Sequence, residues 1–312
     1  MSLRVGQRVG PYVIESLLGA GGMATVWRAR DDRNAQHVAI KIMADIIADD
    51  AQLMARFIDE LRRHEKLHHP HIVAVRDVFS VGGQPCMVMD LVPGGSLATA
   101  LDASPGHRLS FDATKPLMLD VLDALDYAHR QGIIHRDVKP SNILLDAQHQ
   151  HAWLSDFGIA LTEGEKRRTR MGVSIGTNAY MSPEQIRAEK IDFRSDVYAM
   201  GCVLYETLTG RPPFVAPAGD DKAVRAAVLA AHLRDQPVAP RRREGSIPGN
   251  ISALIMRALM KDPAKRVAGC AEFARLLSAP VRRPIWAIPR PAWLAALLVL
   301  VLILVLVLAG HA

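Results

Sequence analysis

The order of hydrophobic patterns along the chain constrains its fold more than any other feature of the sequence. Strand-like runs come first: YVIESLLG and TVWRARD flank a glycine-rich turn, HVAIKIM follows, and two further runs meet at Gly82-Gly83. A helical pattern occupies residues 50–67, and helical patterns dominate from Ser96 onward, including an almost wholly apolar run that ends at Gly210. Strands first and helices later predict an α+β chain with a small β lobe and a larger α lobe.

The C-terminal end carries an uncharged apolar run, AWLAALLVLVLILVLVLA, at residues 292–309. As a helix it would be about 27 Å long, close to the hydrocarbon thickness of a bilayer. A buried core helix of this length normally has a polar face, and this run has none. The run therefore predicts a single-pass span in the cytoplasmic membrane. Arg282, Arg283 and Arg290 precede it and favour the cytoplasmic side, which predicts the body in the cytoplasm and the C-terminus outside. We expect no external domain on this chain.

Composition and residue spacing indicate the redox compartment of the protein and argue against a histidine metal site. Hydrophobic residues make up 49% of the chain, which favours a packed globular body. The 3 cysteines are odd in number and widely spaced, so the sequence predicts a reducing compartment without a disulfide framework. His68, His69 and His71 cluster beside Pro70 in a predicted loop, where packing or surface exposure is a better expectation than a metal site.

The stretch HRDVKPSN, residues 135–142, carries the strongest chemical signal. Charged residues are common in solvated turns, so the stretch alone leaves that alternative open. The other alternative is a loop that holds a base, a cation and a metal ligand around one reacting group. Asp156 of LSDFG follows an apolar run, and its carboxylate together with the side-chain oxygen of Asn142 would suit Mg²⁺, a cation that prefers oxygen ligands.

Two further residues suggest a phosphate site. Lys41 ends the strand-like run VAIK, and Glu60 lies within one helical turn of Phe57 and Leu61 on the apolar side of its helix. A carboxylate in that position needs a partner, for which Lys41 is a candidate. The glycines of GAGGMATV would let backbone N–H groups approach an anion, and the β-like run after them argues against a dinucleotide site.

The ordered set of motifs resembles the protein kinase superfamily and is most similar to bacterial eukaryotic-like Ser/Thr kinases. GAGGMATV, VAIK, the helix glutamate, HRDVKPSN, DFG, GTNAYMSPE, DVYAMG and the arginine of DPAKRV occur in the family's order. The match runs from about Tyr12 to Leu277. Two positions depart from the pattern: Ala24 stands in place of the third glycine, and Ser182 stands in place of the alanine before Pro-Glu.

The resemblance implies a bilobal protein kinase fold plus one C-terminal transmembrane helix. The predicted segments are a leader at 1–11, an N-lobe at 12–92, a C-lobe at 93–279 that completes the kinase domain 12–279, a basic juxtamembrane linker at 280–291, the membrane helix at 292–309 and a tail at 310–312.

The resemblance also implies the site residues. Those expected around ATP are Leu18, Gly19, Ala20, Gly21, Gly22, Val26, Ala39, Lys41, Met89, Asp90 and Val92. The expected catalytic residues are Asp137, Lys139, Lys41 and Glu60, and the expected metal ligands are Asn142 and Asp156. Asp137 would take the substrate's hydroxyl proton, and Lys139 would contact the γ-phosphate.

A third group is expected to support the site. Glu184 should pair with Arg266, Asp196 should hold the backbone of the catalytic loop, and Thr177 belongs to the substrate-side loop. Arg136 is expected to bind a phosphate on the activation segment. Candidate phosphorylation sites in that segment are Thr169 and Ser174.

The function implied by the resemblance is a membrane-anchored, non-specific serine/threonine protein kinase that uses ATP with Mg²⁺, or Mn²⁺ in its place. Its expected partners are protein substrates and the membrane, without nucleic acid, and a homodimer stays open. One alternative is a pseudokinase acting as a membrane scaffold, although Lys41, Asp137 and Asp156 are all present. Another is a small-molecule kinase, against which GTNAYMSPE argues because it resembles a protein-substrate loop.

Overall fold

The computed structural model describes residues 3–21, 24–43, 61, 64–157, 175–217, 219–280 and 300. The chain divides into two compact units, Met1–Ser278 and Ala279–Ala312. Apart from Leu300, the predicted membrane helix at 292–309 lies outside the described residues. Within the described part of the chain, no helix has both the length and the apolar character needed to span a membrane.

The first lobe is built on a six-stranded antiparallel sheet. Its strands are β1 (Arg8–Val9), β2 (Tyr12–Ala20), β3 (Ala24–Asp31), β4 (His37–Met43), β5 (Val75–Val81) and β6 (Gln84–Asp90). They are arranged in the order β1-β2-β3-β4-β6-β5. Gly82 and Gly83 have φ angles of 58° and 82° and form the turn between β5 and β6, so the predicted pair of strands is confirmed.

Strand β4 divides the hydrophobic residues of this lobe between two clusters. Successive side chains point to opposite faces of a strand, so Val38 and Ile40 pack in one cluster while Ala39 and Met43 pack in the other. Lys41 shares the face of Ala39 and Met43 by the same alternation. The position of β4 between β3 and β6 therefore fixes the side of the sheet on which the amine of Lys41 lies.

The second lobe is mainly helical, so the predicted order of a small β lobe and a larger α lobe is confirmed. Its helices are α1 (Leu97–Ala103), α2 (Phe111–Arg130), α3 (Pro183–Ile186), α4 (Arg194–Thr209), α5 (Asp221–Arg234), α6 (Pro240–Arg243), α7 (Gly249–Ala258) and α8 (Cys270–Ser278). Short 3-10 segments lie at Pro105–His107, Pro140–Asn142, Ile175–Tyr180 and Pro263–Lys265, and a hairpin is formed by β7 (Ile143–Leu145) and β8 (Ala152–Leu154).

Local signals explain where α2 begins and where α4 ends. The Ser110 side chain accepts a hydrogen bond from the Ala113 N–H and caps α2. Helix α4 is buried on nearly every side and stops at Gly210, whose φ of 80° is readily adopted only by glycine. This central helix forms part of the main core of the lobe, as its apolar sequence predicted.

The connection between the lobes is hydrogen-bonded to β7 through Gly94 and Gly95. The Gly94 N–H donates to the Leu145 carbonyl at 2.9 Å, and the Leu145 N–H donates to the Gly95 carbonyl at 2.8 Å. A Cβ atom on Gly94 would lie 2.0 Å from the Asp146 carbonyl oxygen, so no larger residue fits without a backbone shift. Glycine here allows the connection to lie directly against the hairpin.

All three cysteines are free and buried, in agreement with the prediction that they form no disulfide. Cys86 lies in β6, Cys202 in α4 and Cys270 in α8. Burial raises the pKa of the Cys86 thiol to about 11, and it raises the pKa of the other two thiols as well.

Candidate active site

The loop that follows α2 is held by a carboxylate from α4. The N–H groups of His135 and Arg136 donate to Asp196 Oδ2 and Oδ1, both at 2.8 Å. Arg136 has a φ of 66°, a conformation that a non-glycine residue adopts only when its surroundings enforce it. The predicted contact between Asp196 and the backbone of this loop is therefore confirmed.

His129, near the end of α2, completes the surroundings of Asp196. Its Nε2 lies 2.7 Å from Asp196 Oδ2. Burial alone would raise the pKa of the Asp196 carboxyl, but the hydrogen bond and charge of His129, with His135, lower it below its ordinary value. The sequence analysis missed His129, although a histidine close to the apolar stripe of a helix calls for a partner.

The carboxylate of Asp137 lies inside a small hydrogen-bonded cluster. Lys139 Nζ is 2.7 Å from its Oδ2, and Asn142 Nδ2 donates to the Asp137 carbonyl at 2.8 Å and to Oδ2 at 3.1 Å. The Asp137 N–H donates to His135 Nδ1 at 3.2 Å, so the other ring nitrogen, Nε2, donates to the Ser155 carbonyl at 2.9 Å. Within the described ranges, the printed side-chain contacts of Asp137 are all made by Oδ2.

Lys41 and Asp156 join the two lobes at this site. Lys41 Nζ lies 2.6 Å from Asp156 Oδ1, across 115 positions of sequence. Asp156 has a φ of 60°, and its side chain is 28% exposed. Burial raises the pKa of this carboxyl, but the charge and hydrogen bond of Lys41 outweigh it and leave the pKa below the ordinary value. Glu60, the predicted partner of Lys41, lies outside the described residues.

Asn142 and Asp156 are brought together by the backbone and fit an oxygen-liganded cation. The N–H and hydroxyl of Ser155, beside Asp156, donate to the Asn142 carbonyl at 2.9 and 3.1 Å. Two hydrogen bonds to Asp137 occupy Asn142 Nδ2 and leave its side-chain oxygen without a donor from the described part of the chain. A carboxylate and an amide oxygen suit Mg²⁺, which takes its other ligands from water and phosphate.

An apolar cluster fills the space beneath the strands of the first lobe. It contains the predicted adenine contacts Val26, Ala39, Met89 and Val92. Leu144, on β7 of the second lobe, packs against the same cluster and was missed by the sequence analysis. Apolar side chains from both lobes are the kind of surface against which a flat aromatic ring packs.

The glycine-rich motif includes the end of β2 and the start of β3. Gly19 pairs with Val26, Ala20 pairs with Thr25, and the Gly21 N–H donates to the Ala24 carbonyl at 2.9 Å. The strand after the turn agrees with the sequence argument against a dinucleotide site. Leu18 is half exposed, and Gly22 lies outside the described residues.

The predicted residues at the edges of the site are described unequally. Asp90 ends β6, its N–H donates to the Ala74 carbonyl at 3.0 Å, and its side chain forms an ion pair with Arg76. Thr177 lies in the 3-10 turn Ile175–Tyr180, and only its backbone is described. Thr169 and Ser174 lie outside the described residues.

The supporting contacts below the loop are present. The predicted ion pair between Glu184 and Arg266 is formed, and the Ser195 hydroxyl donates to the same carboxylate at 2.5 Å. The Gln185 side chain donates to the Arg136 carbonyl at 2.8 Å. The Nε of Arg136 is buried and has no hydrogen-bond partner in the described ranges, so its guanidinium retains an unused donor.

Comparison with known proteins agrees with this geometry. Residues 12–278 match the protein kinase domain family. The chain is 39% identical over 269 residues to a probable serine/threonine-protein kinase, SCO3848, of Streptomyces coelicolor, covering 84% of this chain and 39% of that protein. It is 36% identical over 296 residues to the serine/threonine-protein kinase PknJ of Mycobacterium tuberculosis, covering 93% and 49%.

Among solved structures, the kinase domain of PknI from M. tuberculosis is similar, with 27% identity and a TM-score of 0.69, covering 88% of this chain and 98% of that one. The chain spans between two fifths and one half of the length of the curated relatives described above. The match to the family and the arrangement of the site point to the same conclusion. This chain belongs to the protein kinase domain family.

Proposed function

We propose that this chain is a serine/threonine protein kinase that transfers the γ-phosphate of ATP to Ser or Thr hydroxyls of proteins, with Mg²⁺ or Mn²⁺ as the metal. The convergence of Asp137, Lys139, Asn142, Asp156 and Lys41 carries this proposal. The names of relatives 36–39% identical support Ser and Thr as the acceptors.

The roles follow from charge and position. The Oδ1 of Asp137 accepts the proton of the substrate hydroxyl, and Lys139, 2.7 Å from Oδ2, places a positive charge beside the transferred group. Lys41 supplies a second positive charge for the phosphates. Mg²⁺, when bound, neutralises charge on the phosphate oxygens. Catalysis then depends mainly on positioning and on charges fixed in advance.

The unused Nε of Arg136 supports a regulatory proposal. A phosphate on Thr169 or Ser174 would provide the acceptor that this buried donor lacks in the described structure. Autophosphorylation of either residue would then order the loop around Asp137. Phosphopeptide mapping of active protein tests this, and the absence of phosphate from both residues would contradict it.

A membrane location is part of the same proposal. The uncharged run at 292–309 has the length of a bilayer span, and Arg282, Arg283 and Arg290 favour the cytoplasm for the side that they occupy. The kinase domain would therefore face the cytoplasm. Alkaline carbonate extraction of membranes tests the anchoring: the full chain should stay with the membrane, and its release would contradict the proposed membrane location.

The first test of activity uses the full chain in mild detergent with Mg-ATP. Phosphate should appear on Ser and Thr residues, and Asp137→Asn should abolish transfer while nucleotide binding persists. Asp112→Asn, at an exposed position of α2, serves as the matched control and should transfer normally. Nucleotide binding without transfer by the unchanged chain would instead favour the pseudokinase alternative.

A further inference from the structure

Helix α5 lies beside the turn Ile175–Tyr180 and is fixed in the lobe by a single buried side chain. Among the residues of α5, His232 alone is buried, with 0% of its surface exposed. The helix packs against the turn and against α3. The turn contains Thr177, which was expected on the side of the protein substrate. The contacts of His232 therefore bear on how this turn is held.

The hydroxyl of Tyr198, on α4, fixes one side of the His232 ring. Tyr198 Oη lies 2.8 Å from Nδ1 of His232. The ring of Phe214 meets the imidazole edge-on, with the two centroids 4.8 Å apart. Burial raises the pKa of Tyr198 well above its ordinary value, so the hydroxyl keeps its proton and can donate it. These two contacts hold the imidazole in one orientation.

The opposite ring nitrogen, Nε2, is buried and finds no hydrogen-bond partner in the part of the chain that the structure describes. Buried polar groups are nearly always paired, so an unpaired one calls for an explanation. The backbone of Ala179, in the turn, acts on the imidazole in the direction that favours its protonated form. A carbonyl oxygen has this effect, because it attracts a proton. Nε2 therefore faces a potential acceptor without completing a hydrogen bond to it.

These two neighbours decide which nitrogen of His232 carries the proton. With the proton on Nδ1, the Tyr198 hydroxyl would need another acceptor, and the lone pair of Nε2 would face the carbonyl oxygen of Ala179. With the proton on Nε2, Tyr198 donates to Nδ1 and a donor faces the carbonyl. Burial, together with the charge of Lys261, lowers the pKa of His232 to about 3, so the ring is neutral.

The turn is already held from its other end by α4. The Tyr180 hydroxyl donates to Glu206 Oε2 at 2.5 Å. Ala179, the preceding residue, lies on the side of α5. A hydrogen bond from His232 to Ala179 would therefore hold the turn between the two helices.

We propose that His232 is a positioning residue for protein substrates: its Nε2–H, directed by Tyr198, holds the Ala179 carbonyl and fixes the turn when an acceptor protein binds. The effect should fall on the binding of that protein, because the nucleotide and the reacting groups are held elsewhere. The inference rests on the proposed kinase function, whereas the position of the ring proton does not depend on it.

The first test observes the ring directly and needs no phosphate transfer. The full chain, labelled with ¹⁵N in its histidines and kept in mild detergent, is followed by NMR of the ring nitrogens, and His232→Gln identifies the signals of His232. We expect one proton, on Nε2, at every pH from roughly 5 to 8, the range in which ordinary histidines titrate. A proton on Nδ1, or a titration within this range, would overturn the proposal.

The second test separates binding of the acceptor protein from transfer. Leucine at His232 fills similar space without a donor, whereas the amide nitrogen of glutamine can occupy the place of Nε2 and donate. With myelin basic protein as the acceptor, we expect His232→Leu to raise its KM on the order of threefold to tenfold. The kcat and the Kd of Mg-ATP should change little. His232→Gln should recover most of the loss.

Phe214→Leu is the matched control, because it alters packing against the same ring without removing a donor. It should leave the KM of myelin basic protein unchanged. If His232 acted only by packing, glutamine would be the more harmful replacement, since a buried amide packs less well than leucine. That order of the variants, or an unchanged KM in His232→Leu, would overturn this proposal alone. Absence of transfer by the unchanged chain would overturn the kinase function as well.

Discussion

The guanidinium of Arg266 donates two parallel hydrogen bonds to the carboxylate of Glu184, from Nη1 to Oε1 and from Nη2 to Oε2, each of 2.7 Å. The two side chains are 0% and 6% exposed, and the guanidinium carbon lies 4.9 Å from the centre of the Tyr198 ring. Both charges are therefore buried. The pair links α3 to α4 and to the turn before α8.

Loss of Arg266 should be strongly destabilising, because it leaves the Glu184 carboxylate buried without its partner. We expect Arg266→Met to lower the free energy of unfolding by about 3–5 kcal/mol. Arg266→Lys should recover only part of this, since an ammonium group cannot make two parallel contacts. Chemical denaturation measures both. Arg275→Met, at an exposed position, is the control, and an equal loss in the control would contradict the expectation.

Stability should fall in acid because two buried carboxyls titrate below their ordinary pKa. Burial by itself raises the pKa of Glu184, but its hydrogen bonds with Arg266 and Ser195 have the larger, opposite effect, so the pKa lies below its ordinary value. The pKa of Asp196 is also lowered in spite of burial. The unfolded chain then binds more protons than the native chain, so their contribution is complete above roughly pH 5 and lost as the pH falls. Urea midpoints across this range should fall with pH, less steeply for Glu184→Gln. A midpoint that rises on acidification would refute this.

Replacing Asp196 should affect transfer more than nucleotide binding. The two carboxylate oxygens of Asp196 accept the N–H groups of His135 and Arg136. In Asp196→Asn one of these oxygens is replaced by an NH₂ group, which is a donor and would face another donor. We expect kcat to fall on the order of 10- to 100-fold through misplacement of Asp137. The Kd of Mg-ATP should change little, because Lys41 and Asp156 are untouched. Steady-state kinetics and calorimetry separate the two effects, and a loss confined to ATP binding would contradict this assignment.

Alanine at Gly94 should destabilise the connection between the lobes. The new Cβ would meet the Asp146 carbonyl oxygen at 2.0 Å, and the backbone has to move to admit it. We expect Gly94→Ala to cost about 1–3 kcal/mol in thermal or chemical unfolding. Gly245→Ala is the matched control, because nothing lies within 4 Å of its added Cβ. Equal stability of the two variants would show that the connection adjusts freely.

Sequence patterns predicted the parts of this fold that depend on local signals. Strand-like runs beside a glycine-rich turn predicted the strands around Lys41, and a glycine predicted the end of α4 at Gly210. Local pattern does not determine which polar groups meet across long separations. Asp196 was expected at the loop, whereas its neighbour His129 was missed, because periodicity identifies an apolar face without identifying the partner of a polar residue within it. Leu144 was missed for a related reason, since its neighbours belong to the other lobe.

Because all three thiols are buried, their reactivity can be used to measure local and global unfolding of the chain. A thiol reacts as the thiolate, and burial both raises the pKa of each of these groups and shields it from a reagent. An alkylating reagent should therefore modify the protein only as fast as its parts open. Cys86 reports on the sheet, whereas Cys202 and Cys270 report on the helices. Peptide-resolved alkylation would thus distinguish separate opening of the first lobe from unfolding of the whole domain.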